Sequence, residues 1–227
     1  MCIRDRLYTD FLGGGIFIRV NTIKINDRVM HSIADSDIKI DEERIDKVMK
    51  NLQNKYYLHP SEKFYEKVIF LPGSNLLCKP DCIDIRRVEK LVEEGYVIKP
   101  HPITAHIFIA ELRAKFGYDK VLGKKEGGHE LLLNATEIAT AQNSEMGIVA
   151  LLLGKDIRMV SHPVIKREKS LLTYESFYEA VAGTDAKKTI LKLFSAKNSG
   201  IIFDFDEDAD ERLEKYLANF WEYKIEQ

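Results

Sequence analysis

The sequence predicts an α/β chain built on a Rossmann-like parallel sheet with helices on both faces. Two observations carry that prediction. Between Val68 and Ser161, short apolar runs alternate with segments of helical period. The linkers between them are brief and carry glycine or proline, as crossovers between parallel strands require. Composition agrees, since 45% hydrophobic residues in a chain of 227 supply a buried core and exclude global disorder. Lys plus Arg number 34 and Asp plus Glu 36, a net charge of -2 that excludes a protein built mainly to coat nucleic acid.

Taken in order, Met1-Cys2-Ile3-Arg4-Asp5-Arg6 reads as a translated sequencing-adapter fragment and is left out of the fold. Residues 7–62 then read as the remnant of an N-terminal domain and its linker. Within them, Gly13-Gly14-Gly15 is followed by Ile16, Ile18, Val20, Ile23 and Ile25, an alternation that predicts one or two strands. The triple glycine lies outside any phosphate-loop pattern and predicts a turn. Ile45, Val48, Met49 and Leu52 then recur at helical spacing.

Residues 63–205 read as the sheet domain. Val68 to Leu71 is a buried strand closed by Pro72-Gly73-Ser74, and Ile85, Val88, Leu91 and Val92 form a helix that Gly95 ends. Tyr96 to Lys99 is the next strand, stopped by Pro100-His101-Pro102. A helix follows through Ile107, Phe108, Leu112 and Phe116, then a small strand at Val121-Leu122 and a helical turn over His129 to Leu133. Glu137 to Ala141 and Ile157 to Val160 are strands, separated by a helix from about Glu145 to Leu153. Residues 206–227 form a C-terminal helix carrying Leu213, Tyr216, Leu217, Phe220 and Trp221 in register.

Ligands of open parallel sheets bind outside the C-terminal ends of the strands. Three loops fall there. Pro72-Gly73-Ser74 offers flexible backbone and a hydroxyl. Lys99-Pro100-His101-Pro102 holds an imidazole between two prolines, suited to donate to phosphate oxygens or to move a proton. In Gln142-Asn143-Ser144-Glu145, Ser144 precedes a helix whose first N–H groups favour an anion. Two readings of Ser144 stay open, as a cap of its own helix and as a ligand contact.

The ordered set IKPHP (Ile98 to Pro102), HELLLNATEIAT (His129 to Thr140) and NSEMGIVALLLGKDI (Asn143 to Ile157) resembles the nucleotide-binding half of GT-B glycosyltransferases. It is most similar to capsule-polysaccharide enzymes of the Kdo-transferase type and to CDP-glycerol glycerophosphotransferases. The resemblance covers roughly Val68 to Val160. It implies the C-terminal half of a GT-B fold in an N-terminally truncated chain. It also implies a transferase that moves a sugar from a nucleotide-activated donor to a polysaccharide or glycolipid acceptor, with peripheral membrane association open. The odd, small number of cysteines points to a reducing cytoplasm.

On this resemblance the donor-binding candidates are Gly73, Ser74, Lys99, His101, Asn143, Ser144 and Glu145. His101 would meet the donor phosphates, and Ser144 with its helix amides the phosphate or ribose region. No metal and no cofactor are implied, and the general base would come from the other half of the enzyme. The family often has a second serine where this chain has Glu145, a ribose-holding glutamate where it has Val149, and a proline where it has Asp156. A binding module without transfer activity and a sugar-nucleotide epimerase are the alternatives.

Other features carry less. Cys2, Cys78 and Cys82 are too few for a disulfide framework, and Cys78 to Cys82 lacks the second pair of a zinc site. The stretch Lys124 to His129 reads as a solvated loop or one that closes over a phosphate. His162-Pro163 sits at a further strand end. The acidic run from Asp204 to Glu211 lacks EF-hand spacing and reads as a charged helix start. No apolar run approaches the ~18–20 residues that span a bilayer.

Overall fold

Strand and helix follow one another as the apolar spacing dictates. The computed structural model describes residues 7–20, 23–56, 64–73, 83–161 and 174–225. The first elements are β1 (Leu7–Leu12), β2 (Gly15–Val20), α1 (Ile23–Asp35) and α2 (Glu42–Tyr56). Next come β3 (Lys67–Phe70), α3 (Ile85–Glu93), β4 (Val97–Lys99), α4 (His106–Phe116) and α5 (Gly128–Asn134). Then follow β5 (Glu137–Thr140), α6 (Glu145–Leu152) and β6 (Asp156–Met159). The chain ends with α7 (Glu175–Val181), α8 (Ala186–Ser195), β7 (Ile201–Ile202) and α9 (Ala209–Ile225). Two compact units result: Met1–Lys55 with Glu168–Gln227, and Tyr56–Arg167.

In the first unit, β1 and β2 form an antiparallel hairpin extended by β7. Gly13 and Gly14, at φ of 59° and 90°, make its two-residue turn. Positive φ at both positions is what a tight hairpin demands and what glycine tolerates. The expected strand through Ile23 and Ile25 is instead the start of α1. Ile25, Val29, Met30 and Ile33 are all buried, at helical spacing. Two alternating isoleucines fit both periods, and the longer run decides for the helix. Phe17 meets Phe177 edge to face at 4.8 Å, and the Tyr216 hydroxyl donates to Asn26 Oδ1 at 3.0 Å inside this core. Residues 174–205, read from sequence as the end of the sheet domain, pack in this unit: α7 and α8 lie against α1.

The second unit is the Rossmann-like part. Its four strands are all parallel, in the order β4-β3-β5-β6, and Val121 adds a parallel bridge to Ile98 outside β4. Alternate residues face opposite sides of the sheet. Ile69, Ile98 and Ala139 join Val88, Leu91 and Ile109 in the core under α3 and α4. On the other face α5 packs on β3, and α6 packs on β5 and β6. Asp84 caps α3 by accepting the Arg86 N–H at 3.0 Å, and Gly95, at φ 97°, turns the chain back into β4.

Candidate functional site

Register fixes where the loops leave the sheet. Phe70 pairs with Lys99 and with Thr140, and Thr140 pairs with Met159, so all four strands end in one row. The chain moves outward from β3 through β4 to Val121, then returns to β5 on the other side of β3. That reversal between β3 and β5 opens a crevice at their C-terminal ends, the usual ligand position of such sheets. Leu71-Pro72-Gly73 leaves from β3 and Ala141 to Ser144 from β5. Gly73 is buried beside that crevice. Ser74, Cys2, Cys78, Cys82 and His162 lie outside the described residues.

The loop after β4 is shaped from within. His101 Nδ1 accepts the Ile103 N–H at 3.2 Å, and the His101 carbonyl accepts the Thr104 N–H at 2.9 Å. With Nδ1 occupied as an acceptor, the neutral ring carries its proton on Nε2 and offers it as a donor. His101 is an exposed residue overall. Burial of its ring, and then the Lys99 charge, push its pKa below the ordinary imidazole value.

Lys99 itself is buried. Its Nζ donates to the Pro100 carbonyl at 2.7 Å and to the Lys124 carbonyl at 3.1 Å. Burial pushes this amine down to about 8, against the opposing charge of Glu126. The side chain therefore ties the His101 loop to the 123–127 loop. Glu126 Oε1 holds that second loop by accepting the Gly123 N–H at 3.1 Å. The loop from Lys124, read as solvated or as closing over a phosphate, is thus tied to the His101 loop.

Across the crevice, Ser144 caps α6. Its Oγ accepts the Met146 N–H at 3.2 Å, and its own N–H donates to the Ala141 carbonyl at 3.1 Å. The capping reading is thus a feature of the molecule. Glu145 occupies that first turn. Asn143 and Gln142 complete the loop, and the Gln142 N–H is held by Ser161 Oγ at 2.9 Å. Gly128, opening α5, lies against both halves: a Cβ there would sit 3.5 Å from Met146 Cε and 3.8 Å from Phe70 Cε1.

Two contributors escaped the sequence reading as site residues, Thr104 and Ser161, because each acts through a hydrogen bond to a loop backbone that no residue spacing marks. Ser161 had one cue, its place directly after a strand.

A second concavity, of about 310 Å³, lies in the first unit and includes Asp41, Arg44, Asp206, Asp208 and Arg212. Its charges serve one another. Arg44 is ion-paired to Asp206, Arg212 Nε binds Asp208 at 2.8 Å, and Arg44 Nε donates to the Phe194 carbonyl at 2.8 Å. The acidic run read as a plain helix start therefore turns two carboxylates inward. Among the described residues no group of His, Cys, Asp and Glu is arranged to hold a metal ion, and no helix is long and apolar enough to cross a membrane.

Comparison with solved structures finds a likeness to the protein titled "Thermosulfurimonas dismutans KpsC, beta Kdo 2,7 transferase". The TM-score is 0.43 at 18% identity, over 82% of this chain and 76% of that one. No protein-family model matches the sequence. No curated protein matches it either. The residues of this chain carry the functional reading.

Proposed function

We propose that this chain is a glycosyltransferase, of the GT-B type its motifs resemble, that moves a sugar from a nucleotide-activated donor to a polysaccharide or glycolipid acceptor. One observation carries the reading: an imidazole held with Nε2–H as donor and a serine-capped helix start leave the same edge of a parallel sheet, on either side of its switch point. Both suit an anion, the first as a fixed donor and the second through backbone amides and the helix dipole. In transfer, the bond between the sugar's anomeric carbon and the donor phosphate breaks, and the phosphate leaves with the electron pair. The acceptor oxygen bonds to that carbon and gives up its proton. His101 Nε2–H and the first amides of α6 are the groups suited to stabilise the leaving charge.

The test is a calorimetric titration of CMP, CDP, UDP and GDP into the full chain and into His101→Ala. Micromolar binding of one nucleotide, weakened at least tenfold (about 1.4 kcal/mol) in the variant, is expected. Absence of binding by all four overturns the reading. A nucleotide-binding module without transfer is the second reading. Val149, fully buried, stands where the family that the motifs resemble often has a ribose-holding glutamate, and this favours the module. Turnover of the bound donor in the presence of an acceptor separates the two.

A further inference from the structure

Folded proteins leave few buried polar atoms without a partner, and each one left calls for a physical explanation. In the sheet unit, Thr104 Oγ1, Glu130 Oε2, Gln142 Oε1 and Asn143 Oδ1 are buried without a hydrogen-bond partner. All four belong to loops or a first helical turn at the C-terminal edge of the sheet. Thr104 is bonded through its N–H to the His101 carbonyl, Glu130 lies in the first turn of α5, and Gln142 and Asn143 belong to the β5–α6 loop.

The last two are held in an unusual state. Their backbone is pinned on both sides, by Gln142 N–H to Ser161 Oγ at 2.9 Å and by Ser144 N–H to the Ala141 carbonyl at 3.1 Å. The amide oxygens at the ends of the two side chains are nonetheless left without a donor. Both residues are partly exposed while their amide oxygens are buried, so a ligand reaches those oxygens only with a side-chain rotation. An ionised phosphate has no proton to give them. A ligand satisfies two such acceptors with two donors, and a pair of hydroxyl groups supplies them. Glu130, also an acceptor, sits in the same neighbourhood, because the start of α5 packs on the first turn of α6 through Gly128 and Met146.

We infer that Gln142 and Asn143 form the diol-binding part of the site, each amide oxygen accepting one O–H of a vicinal pair on the ligand, while His101 and the α6 amides take its phosphate. This division of labour rests on the nucleotide-sugar reading above. A vicinal diol is present both on the nucleotide's ribose and on the transferred sugar.

The experiment uses the full chain with Gln142→Met and Asn143→Leu. Each is titrated with the nucleotide that binds wild type, with its 2′,3′-dideoxy form, with its sugar conjugate (UDP-glucose, GDP-mannose, CMP-sialic acid or CDP-glycerol) and with inorganic pyrophosphate. Unliganded melting temperatures are measured in parallel. If the diol is the ribose, wild type binds the dideoxy form at least tenfold more weakly, and each variant reduces that preference below about threefold. If it lies on the transferred group, wild type prefers the conjugate and the variants lose that preference instead. In both cases pyrophosphate binding is unchanged. Unliganded variants melt at or above the wild-type temperature, since an apolar side chain replaces an unsatisfied acceptor.

Variants that keep wild-type preferences, that lose pyrophosphate binding equally, or that melt lower overturn the inference while leaving the nucleotide reading intact. If no nucleotide binds wild type, the nucleotide reading falls and the diol site falls with it.

Discussion

Ile103 donates its backbone N–H to the Nδ1 atom of His101, two residues earlier in the chain, at 3.2 Å. Two flanking prolines restrict the loop, and this bond settles which ring nitrogen carries the proton. The imidazole is thus an oriented neutral donor before any ligand arrives.

Protonating that ring removes the acceptor that Ile103 uses, and burial and the Lys99 charge already oppose it. The folded pKa lies below that of the unfolded chain, so the unfolded chain takes up the proton first as pH falls. The contribution of His101 to stability is therefore complete above about pH 6.5, the unperturbed imidazole value, and declines below it. Thermal melts of wild type and His101→Ala should differ most above that pH and converge towards pH 5. A gap that widens on acidification contradicts this assignment.

Ser144 separates into its two roles by substitution. Ser144→Ala removes the cap and should cost about 1 kcal/mol in urea unfolding. Ser144→Asp keeps a capping oxygen for the Met146 N–H but sets a carboxylate against an incoming phosphate. Its stability should stay near wild type while nucleotide affinity drops about tenfold or more. Unchanged affinity in Ser144→Asp would leave Ser144 as a cap and nothing else.

The buried Lys99 amine, at about 8, loses its proton in the folded chain before it does so in the unfolded one. The unfolded state binds more protons between about pH 8 and 10, so stability gains there as pH rises. Measured by urea unfolding at about pH 7 and pH 9.5, wild type should gain relative to Lys99→Met. Equal changes in both proteins would place the amine in contact with water.

In the first unit, Arg44 and Asp206 are nearly sealed from solvent, each with a side chain 4% exposed. Asp206 also accepts the Phe203 N–H at 2.8 Å. Asp206→Asn leaves the arginine charge buried and should cost about 3–5 kcal/mol. The double variant Arg44→Met with Asp206→Leu should recover part of that loss in the same denaturation assay. A single-variant cost below about 1 kcal/mol would show that water reaches the pair.

Much of the sheet unit was legible from local pattern. Val68 to Phe70, Ile98 with Lys99, and Ile138 to Thr140 are strands because short apolar runs bounded by turn residues suit a sheet covered on both faces. The helices between them follow from recurrences such as Val88 and Leu91, and the cap on α6 from a serine ahead of Glu145 and Met146. The residue types at the strand ends pointed to an anion, because proline-bound histidine and a capping serine have that chemistry wherever they fold. Where two periods fitted equally few residues, as at Ile23 and Ile25, the pattern pointed to a strand and packing against α7 and α8 made a helix.

What the sequence determined by itself, then, was the kind and succession of elements in the sheet unit and the chemistry available at its loops, since periodicity and side-chain type are local properties. The tertiary structure alone decided the rest. It set the order β4-β3-β5-β6 that brings His101 and Ser144 to one edge, buried Lys99 against the Lys124 carbonyl, and paired Arg44 with Asp206 across 162 positions. Those outcomes depend on which surfaces exclude water together, and that is a property of the whole packed chain.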